Sequence, residues 1–491
     1  MRNFLAFDLG ASSGKLFSSA FDGDRLRIQS VFGFPNTLVK VRGALYWDFL
    51  GIFRQMSEGI LKAAGEAGVD SFGIDSFNND FSFIDPKGEL LFPVRSYRDP
   101  RGETYAEKIY TRMSPRALYA CTGNQIAPFN TLMQLAAMRE AGQQYLFEKA
   151  HRLLFLPDLL GYALTGEAVT EYTLAAETQM LDWETRDWID EILAAYDIPR
   201  ALFAPLVMPG TVTGRGALEG IPAFDFVSVC EHDTASAFLA SPLGANAAII
   251  SSGTWALVGV EHPKPVICET GFRWNIANEG SLPGHHRILR NVMGSWLLQE
   301  LQRDFALLGQ RFDYDRMQAE AMAAQPFQFL LDPDDPRFYY PGGMAGKIRE
   351  ACRETTGRAP ETPGAFFRLV YESLALKYRL VLERIEALTG RQYEAVNIVG
   401  GGSKDALGAQ FAANALGRRV VAGPADATSI GNILVQMLAH GDISSIKQGR
   451  ALVAASFETR EYLPQDAARW QAQYERFLSV FGFDREAPAV E

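Results

Sequence analysis

The chain has 491 residues, 47% of them hydrophobic and 21% charged, and its formal net charge is −11. One hydrophobic core rarely serves a chain of this length, so two domains are expected. The acidic balance disfavours nucleic acids and anionic membranes as partners, because both attract basic surfaces.

The N-terminal sequence and the cysteines indicate a cytoplasmic location. The first apolar run ends at Asp8, which makes it too short for the core of a signal peptide. No apolar run in the sequence approaches the length of a membrane-spanning helix. The four cysteines are far apart and show neither metal-ligand nor disulfide spacing, which is typical of a reducing compartment.

The N-terminal region is expected to open with a sheet. Three apolar runs predict an antiparallel meander, and they lie at 3–9, 15–21 and 25–32. A Gly/Ser turn at 10–14 joins the first two. Helical periodicity covers 47–66, a buried strand is predicted at 72–77, and a hairpin is predicted around 86–88.

The turn after the first strand is a candidate phosphate loop. Small residues let a phosphate approach the backbone, and Ser12, Ser13 and Gly14 could donate hydrogen bonds to it. Asp8 could hold Mg²⁺, and Lys15 could add a positive charge. A hairpin turn that is merely rich in Gly and Ser explains the same residues equally well.

Polar side chains also follow the strand at 72–77. They include Asn78 and Asp80. Carboxylates and amides suit a polyhydroxyl ligand, because buried hydroxyl groups need hydrogen-bond partners. An Asn-rich turn is an equally good interpretation of this segment.

The middle of the chain is predicted to be largely helical before a strand leads into a second polar turn. Helices are predicted at 102–112, 131–149, 157–164 and 187–196. The segment 224–240 reads as strand, turn and helix, with His232 and Asp233 in the turn. Asp233 is a candidate general base, and His232 could bind a sugar hydroxyl. Taken alone, the pattern favours Asp233 as a helix cap.

The C-terminal half repeats the plan of the N-terminus. Residues 245–261 predict a strand, a Ser/Gly turn and a strand, which indicates a duplicated fold. Residues 395–417 predict a strand, a glycine loop at 400–402 and a helix that Ser403 caps. Three glycines favour close approach of a ligand, since one would suffice for a tight connection. The helix at 427–439 continues the alternation.

In this order the segments resemble the FGGY carbohydrate kinases. The resemblance covers nearly the whole chain and is carried by DLGASSGK, CEHDTASAFLASPL, IISSGTWALVGVE and IVGGGSKDALGAQFAANALG. It implies an α/β, two-domain actin-like ATPase (ribonuclease H-like) fold with an interdomain cleft. The N-terminal domain, 1–244, would bind the sugar and carry the first phosphate loop. The C-terminal domain, 245–491, would bind the nucleotide.

The resemblance also implies a reaction and a set of site residues. ATP and Mg²⁺ would serve to phosphorylate a primary hydroxyl, O1, of a small ketose such as L-rhamnulose or a related deoxyketose. Asp233 would be the catalytic base, with Asn78, Asp80, His232 and Thr234 at the sugar and Asp8 at the metal. The nucleotide would contact Ser12, Ser13, Gly14, Lys15, Thr254, Asn291, Gln299, Gly401 and Gly402.

One departure from the family pattern leaves the sugar open. Members that act on L-rhamnulose usually have Trp-Gly-Val-Asp-Phe at 77–81, where this chain has Asn78 in place of the glycine. L-Fuculose, ribulose and xylulose are therefore alternatives. An actin-like ATP-binding sugar sensor without transferase activity is a further one. The expected partners are a ketose and ATP, without nucleic acid or membrane, for a monomer or homodimer.

Overall fold

The computed structural model describes residues 2–65 and 68–484, which form two compact units. Within the described residues, unit 1 takes 2–65, 68–242, 261–288 and 427–456. Unit 2 takes 243–260, 289–426 and 457–484. The chain therefore leaves unit 1 and returns to it twice. The domain boundary expected at residues 244 and 245 stays a prediction.

The first half of the chain supplies most elements of unit 1. They are β1 (Phe4–Leu9), β2 (Ser13–Phe21), β3 (Leu26–Pro35), β4 (Leu38–Val41), β5 (Ala44–Trp47), α1 (Phe49–Ala64), β6 (Ser71–Ser76), β7 (Phe81–Ile84), α2 (Arg101–Thr104), α3 (Ala106–Arg112), α4 (Pro115–Thr122), α5 (Thr131–Glu140), α6 (Gln144–Lys149), β8 (Arg152–Phe155), α7 (Leu156–Thr165), β9 (Thr170–Glu171), α8 (Tyr172–Ala175), α9 (Asp190–Ala195), β10 (Leu206–Val207), β11 (Thr211–Gly216), β12 (Phe224–Ser228) and α10 (Asp233–Leu239).

The second half supplies unit 2 and the segments that return to unit 1. Its elements are β13 (Ala247–Ser252), β14 (Trp255–His262), α11 (Glu269–Arg273), β15 (Ala277–Gly280), β16 (His286–Met293), α12 (Trp296–Leu307), α13 (Tyr314–Ala323), α14 (Met344–Thr356), α15 (Pro363–Thr389), β17 (Ala395–Val399), α16 (Ala406–Leu416), β18 (Arg419–Ala422), α17 (Ala427–Ala439), α18 (Ile446–Ser456), β19 (Arg460–Tyr462) and α19 (Ala467–Phe481). Short 3₁₀ turns lie at Arg200–Leu202, Gly244–Asn246, Pro336–Phe338 and Gly401–Lys404.

The sheet of unit 1 has the strand order β11-β12-β6-β1-β2-β3. Its two central strands, β1 and β6, are parallel and are buried along almost their whole length. Helices cover them, with α17 packing on both strands and α7 on β6. Strands that are covered in this way read as continuous apolar runs, which is why β1 and β6 were evident in the sequence.

Unit 2 repeats this arrangement. Its strands β14, β13, β17, β18 and β19 are neighbours in that order. The pairings along the row are antiparallel, parallel, parallel and antiparallel. The row β2-β1-β6-β12-β11 of unit 1 has the same sequence of pairings. The duplicated fold expected from the sequence is thus confirmed.

Several predicted elements are shorter or interrupted. The helix expected at 102–112 divides at Tyr105, and the one expected at 131–149 stops before Gly142, whose φ of 75° leaves the helical region. The helix expected at 47–66 is α1, and residue 66 lies outside the described residues. At 86–88 the turn forms, and the Leu91 N–H donates back across it to the Phe83 carbonyl at 2.9 Å. Leu90 adds an isolated bridge to Ile84, while β7 pairs along its length with β8.

Across residues 2–65 and 68–484, no helix combines the length and apolar character that a membrane crossing requires.

Candidate active site

Two polar loops leave the sheet of unit 1 side by side. Ser76, at the end of β6, forms a parallel bridge with His232, and its N–H donates to the carbonyl of Glu231 at 2.8 Å. The loop after β6 carries Asn78 and Asp80, and the loop after β12 leads to Asp233. In open α/β sheets, ligands bind at the carboxyl ends of the strands. The structure therefore brings the sugar-contacting residues expected from the sequence to one place in unit 1.

Asp233 is the first residue of α10, and His232 occupies the N-cap position. The carboxylate of Asp233 accepts a hydrogen bond from the Thr234 hydroxyl at 3.1 Å and lies 3.4 Å from His232 Nε2. About a third of the Asp233 side chain (32%) is exposed, which leaves one side open to a ligand. Because His232 and not Asp233 occupies the N-cap position, the capping interpretation is wrong. The open side of the Asp233 carboxylate suits a base that receives a proton.

His232 lies in a buried cluster of charged groups. Glu177 Oε1 is 2.5 Å from His232 Nδ1 and accepts from Arg287 Nη2 at 2.7 Å. Arg287 Nη1 lies 3.0 Å from Glu279 Oε2. Asn78 Nδ2 donates to the other oxygen of Glu177 at 2.8 Å. The side chain that departs from the family pattern is thus tied to the cluster that holds His232.

Burial and these charges move the pKa values in the cluster. Burial, reinforced by the Arg287 guanidinium, lowers the pKa of His232 to about 4, so its imidazole is neutral near pH 7. Burial and the neighbouring Glu177 raise the pKa of Glu279 to about 8. Burial also raises the pKa of Asp233, an effect that the adjacent His232 opposes. A raised pKa suits a carboxylate that must take up a proton.

The cluster also has the spacing of a metal site. Ligand atoms of Glu177, His232 and Glu279 lie within 4.8 Å of one another. However, the fully buried Arg287 lies within 3.0 Å of both carboxylates and supplies the compensating positive charge. A cation at the same point would repel the guanidinium. The arrangement is therefore an arginine-centred ion cluster.

No role could be predicted from the sequence for Glu177, Glu279 and Arg287. Glu177 lies in the segment 171–182, and Glu279 and Arg287 lie in the segment 278–300, both far along the chain from the turn that holds His232 and Asp233. Arg287 and Glu177 are separated by 110 residues. No local spacing joins them, so only the tertiary fold reveals the cluster.

The loop at 77–80 is held in an unusual conformation. Asn79 has a φ of 77°, in the left-handed region that asparagine tolerates better than most residues. Its side-chain oxygen accepts from the Thr131 N–H at 3.1 Å. Asp80 is buried and accepts from Trp47 Nε1 at 2.5 Å. Burial raises the pKa of Asp80 to about 7, against the hydrogen bond from Trp47.

The first phosphate loop expected from the sequence lies between β1 and β2. Ser12 and Lys15 are exposed, and Ser13 is half-buried. Gly14 is buried against Phe34, whose ring would lie 2.4 Å from an added Cβ, so packing alone explains this glycine. Asp8 is half-buried and pairs in register with Asp75 of β6.

The second candidate region is a cavity of about 470 Å³ within unit 2. It is lined by the turn after β13, the start of α12, the faces of α13 and α15, and the glycine loop after β17. Four of the expected nucleotide contacts line it: Thr254, Gln299, Gly401 and Gly402. Asn291 is not among the described residues that line the cavity, so its role stays a prediction.

A different constraint explains each of the three glycines after β17. Gly400 has a φ of 82°, and a Cβ on Gly402 would lie 2.0 Å from the Ser252 hydroxyl. For Gly401, by contrast, no described protein atom lies within 4 Å of an added Cβ, and the residue faces the cavity. Only Gly401 therefore has no explanation within the protein's own packing. The expected cap by Ser403 is wrong, because a 3₁₀ turn intervenes and Asp405 caps α16 by accepting from Gly408 N–H.

Comparison with known proteins matches two family models to the chain. The N-terminal domain model of the FGGY family of carbohydrate kinases matches residues 4–240, and the C-terminal domain model matches residues 248–440. The chain is 39% identical to a rhamnulokinase from Bacteroides thetaiotaomicron, with 97% of this chain and 99% of that protein covered. A rhamnulokinase from Bacillus subtilis is 34% identical, with 95% and 96% covered.

Solved structures share the fold at low sequence identity. The ligand-bound xylulose kinase from Lactobacillus acidophilus has a TM-score of 0.80 at 16% identity, with 98% of each chain covered. The glycerol kinase from Plasmodium falciparum with ADP has a TM-score of 0.75 at 15% identity, again with 98% of each chain covered. These similarities confirm the expected α/β, two-domain actin-like ATPase fold.

Proposed function

The chain belongs to the FGGY family of carbohydrate kinases, and on this basis we propose that it transfers the γ-phosphoryl group of ATP to O1 of L-rhamnulose. The relatives that are 34–39% identical over nearly the whole chain are named rhamnulokinases, which supports this sugar. The observation that carries the proposal is Asp233, a partly exposed carboxylate with a raised pKa beside a neutral histidine. That environment is typical of a general base.

Phosphoryl transfer asks the protein mainly to position the reactants and to stabilise charge. Asp233 accepts the proton of the O1 hydroxyl as the bond from O1 to the γ-phosphorus forms. The bond from that phosphorus to the leaving oxygen breaks, and ADP departs. His232, Thr234, Asn78 and Asp80 hold the sugar hydroxyls.

The nucleotide is assigned to the cavity of unit 2. Thr254 and Gln299 supply polar groups there, and Gly401 leaves room for a ligand against the backbone. The start of α16 also lines the cavity, where Asp405 already accepts from the Gly408 N–H. Ser12, Ser13, Gly14, Lys15 and Asn291 remain proposed contacts to the phosphates or the nucleotide.

Mg²⁺ is assigned to Asp8. This half-buried carboxylate ends a central strand in register with Asp75, and carboxylate oxygens are the ligands that Mg²⁺ prefers. The residues therefore fit the ion, which when bound would neutralise charge on the transferred phosphate. We further propose that the protein is located in the cytoplasm, where ATP is available, and that it is a monomer or a homodimer.

Because Asn78 departs from the family pattern, other ketoses remain alternative acceptors of the phosphoryl group. Its amide nitrogen donates one hydrogen to Glu177, and its oxygen accepts from the Asn79 N–H at 2.5 Å. One N–H and one oxygen lone pair remain for a ligand. A glycine would present neither, so a sugar of different stereochemistry could be selected here, among them L-fuculose, ribulose and xylulose.

A coupled ADP-release assay over a panel of ketoses and polyols tests the proposal. We expect L-rhamnulose to stimulate ADP release most strongly. Stimulation by no ketose would favour a sugar sensor without transferase activity. The same panel with Asn78→Gly should change the order of preference among the ketoses, because the amide is lost. An unchanged order would refute a role of Asn78 in selectivity.

A further inference from the structure

Arg287 is the most completely enclosed charge in the cluster around His232. Its side chain has 0% exposure. Nε donates to the Gly280 carbonyl at 2.8 Å, while the two terminal nitrogens reach Glu177 and Glu279. A guanidinium is suited to this task, because its planar fork can bond several acceptors at fixed angles. Nothing in the proposed reaction uses Arg287 directly.

We infer that Arg287 is a positioning residue that keeps His232 in its neutral, Nδ1-protonated form, so that Asp233 faces an uncharged neighbour. The inference rests on the proposed function of Asp233 as the base.

Glu177 Oε1 fixes the tautomer of His232. Arg287 Nη2 donates to this oxygen at 2.7 Å, which favours the ionised carboxylate. His232 Nδ1 lies 2.5 Å from the same oxygen, and a carboxylate can only accept, so Nδ1 carries the hydrogen. Arg287 Nη2 also lies 3.1 Å from His232 Nδ1, so the guanidinium opposes a positive charge on the ring.

The opposite ring nitrogen then bears a lone pair. His232 Nε2 lies 3.4 Å from Asp233 Oδ1 and carries no hydrogen to share with it. Nε2 can accept a hydrogen bond from a substrate hydroxyl, while Asp233 remains an unneutralised carboxylate. A protonated His232 would instead form an ion pair with Asp233 and weaken it as a base, since an adjacent opposite charge lowers a carboxylate pKa.

The balance of charge around His232 depends on Arg287. Glu177 from the loop after α8, Glu279 from β15 and Asp233 from α10 face the imidazole with carboxyl groups. Among the described residues that face it, only Arg287 from β16 opposes them with positive charge. Removing that charge leaves three carboxyl groups around the ring. The pKa of His232 should then rise from its wild-type value, although burial still lowers it.

Two substitutions separate charge from geometry. Arg287→Met removes the charge and keeps an unbranched apolar side chain, whereas Arg287→Lys keeps the charge but not the fork. Histidine labelled with ¹⁵N reports both the tautomer and the titration of the ring. The chain has only six histidines, and the His232 signal is identified by its loss in His232→Gln.

We expect wild-type His232 to stay neutral and Nδ1-protonated from pH 6 to pH 8, and to titrate at a higher pH in Arg287→Met than in the wild type. The kcat/KM of Arg287→Met should fall by about tenfold or more at pH 7 and recover as the pH rises. Arg287→Lys should keep His232 neutral and show no new pH-dependent limb. Wild-type titration behaviour of His232 in Arg287→Met would overturn the inference.

Arg450→Met is the matched control. Arg450 is also buried in unit 1, where it pairs with Glu261 at 2.6 Å. It also donates to the Phe238 carbonyl near the end of α10. Its loss should lower thermal stability without changing the His232 spectrum, so an equal change in both variants would also overturn the inference. If the wild type phosphorylates no ketose, the proposed function fails, whereas the NMR comparison still tests the effect of Arg287 on the ring.

Discussion

Asp233 illustrates how one side chain can be both buried and reactive. Burial raises its pKa, while its exposed third keeps the ionised form in contact with solvent. The Thr234 hydroxyl orients one oxygen, which leaves the other available to a substrate. A carboxylate whose pKa burial raises is a stronger base than an exposed one, which suits it to take a proton in the transition state.

Replacing Asp233 with Asn removes the base and preserves the shape of the side chain. We expect kcat to fall by about 10²–10⁴-fold, the usual contribution of general-base catalysis. ATP should still raise the thermal midpoint of the variant, because the nucleotide is assigned to the cavity of unit 2. The measurements are steady-state ADP release and thermal unfolding with and without ATP. Near-normal turnover would contradict the assignment.

At the scale of single residues, the sequence indicated the members of local motifs and missed their distant partners. Asp233, His232 and Asn78 stand next to strand ends and belong to short polar runs. Arg287 lies 55 residues from His232 and within a strand, where an isolated arginine has no distinguishing pattern. Burial of a charge is a tertiary property, so it has no signature in local spacing.

The connection from β17 to α16 shows why a residue pattern does not fix an element's boundary. Gly400–Gly402 indicated a ligand loop, and the cavity lies there. The 3₁₀ turn at Gly401–Lys404 then delays the helix, so that Asp405 caps it in place of Ser403. Both residue types are good caps, and the choice between them depends on the backbone path past Ser252.

A matched pair of substitutions tests this connection. Gly401→Ala adds a methyl group where no described atom lies within 4 Å, so stability should change by no more than about 0.5 kcal/mol. The KM for ATP should rise several-fold, because the methyl group occupies space beside the nucleotide. Gly402→Ala places its methyl group against Ser252 and should lose about 1–3 kcal/mol. Thermal unfolding and ATP titration distinguish the two.

An unchanged KM for ATP in Gly401→Ala would contradict the assignment of this cavity to the nucleotide. Equal stability of the two variants would contradict the packing explanation for Gly402.

For the molecule as a whole, buried carboxyl groups set the response of stability to pH. Asp158, Glu171 and Glu231 are almost fully buried and lie together in unit 1. Burial raises the pKa of Glu171 to about 8, and burial with the neighbouring carboxyl groups raises the pKa of Asp158 and of Glu231. The folded state therefore holds protons that the unfolded chain has already released.

We expect the free energy of unfolding to fall as the pH rises from about 4.5, the ordinary pKa of Glu171, to about 8, its folded value. One proton contributes a slope of at most about 1.4 kcal/mol per pH unit. Glu171→Gln keeps an oxygen to accept from the N–H groups of Thr173 and Leu174 and cannot titrate. Denaturant unfolding across this range should give a shallower slope for the variant. Identical slopes would contradict the role of Glu171.

Most of the architecture of the molecule could be predicted, because the two sheets are built from recognisable strands. The apolar runs β1, β6, β13 and β17 and the turns between them led to a duplicated fold. The interleaving of the chain could not be predicted in this way. That Glu261–Ile288 and Ala427–Ser456 return to unit 1 depends on which surfaces they cover, as when α17 packs on β1 and β6.

During synthesis, the ribosome releases the strands of unit 1 long before the helix that covers them. Asp75 of β6 emerges 357 residues ahead of Asn432, which donates to it at 2.6 Å, and Leu5 similarly precedes Gln436. At about 5–20 residues per second, the interval is roughly 20–70 seconds. Throughout that time the face of the sheet that α17 covers in the folded protein lacks this helix, so the nascent chain exposes apolar surface of the kind that chaperones bind.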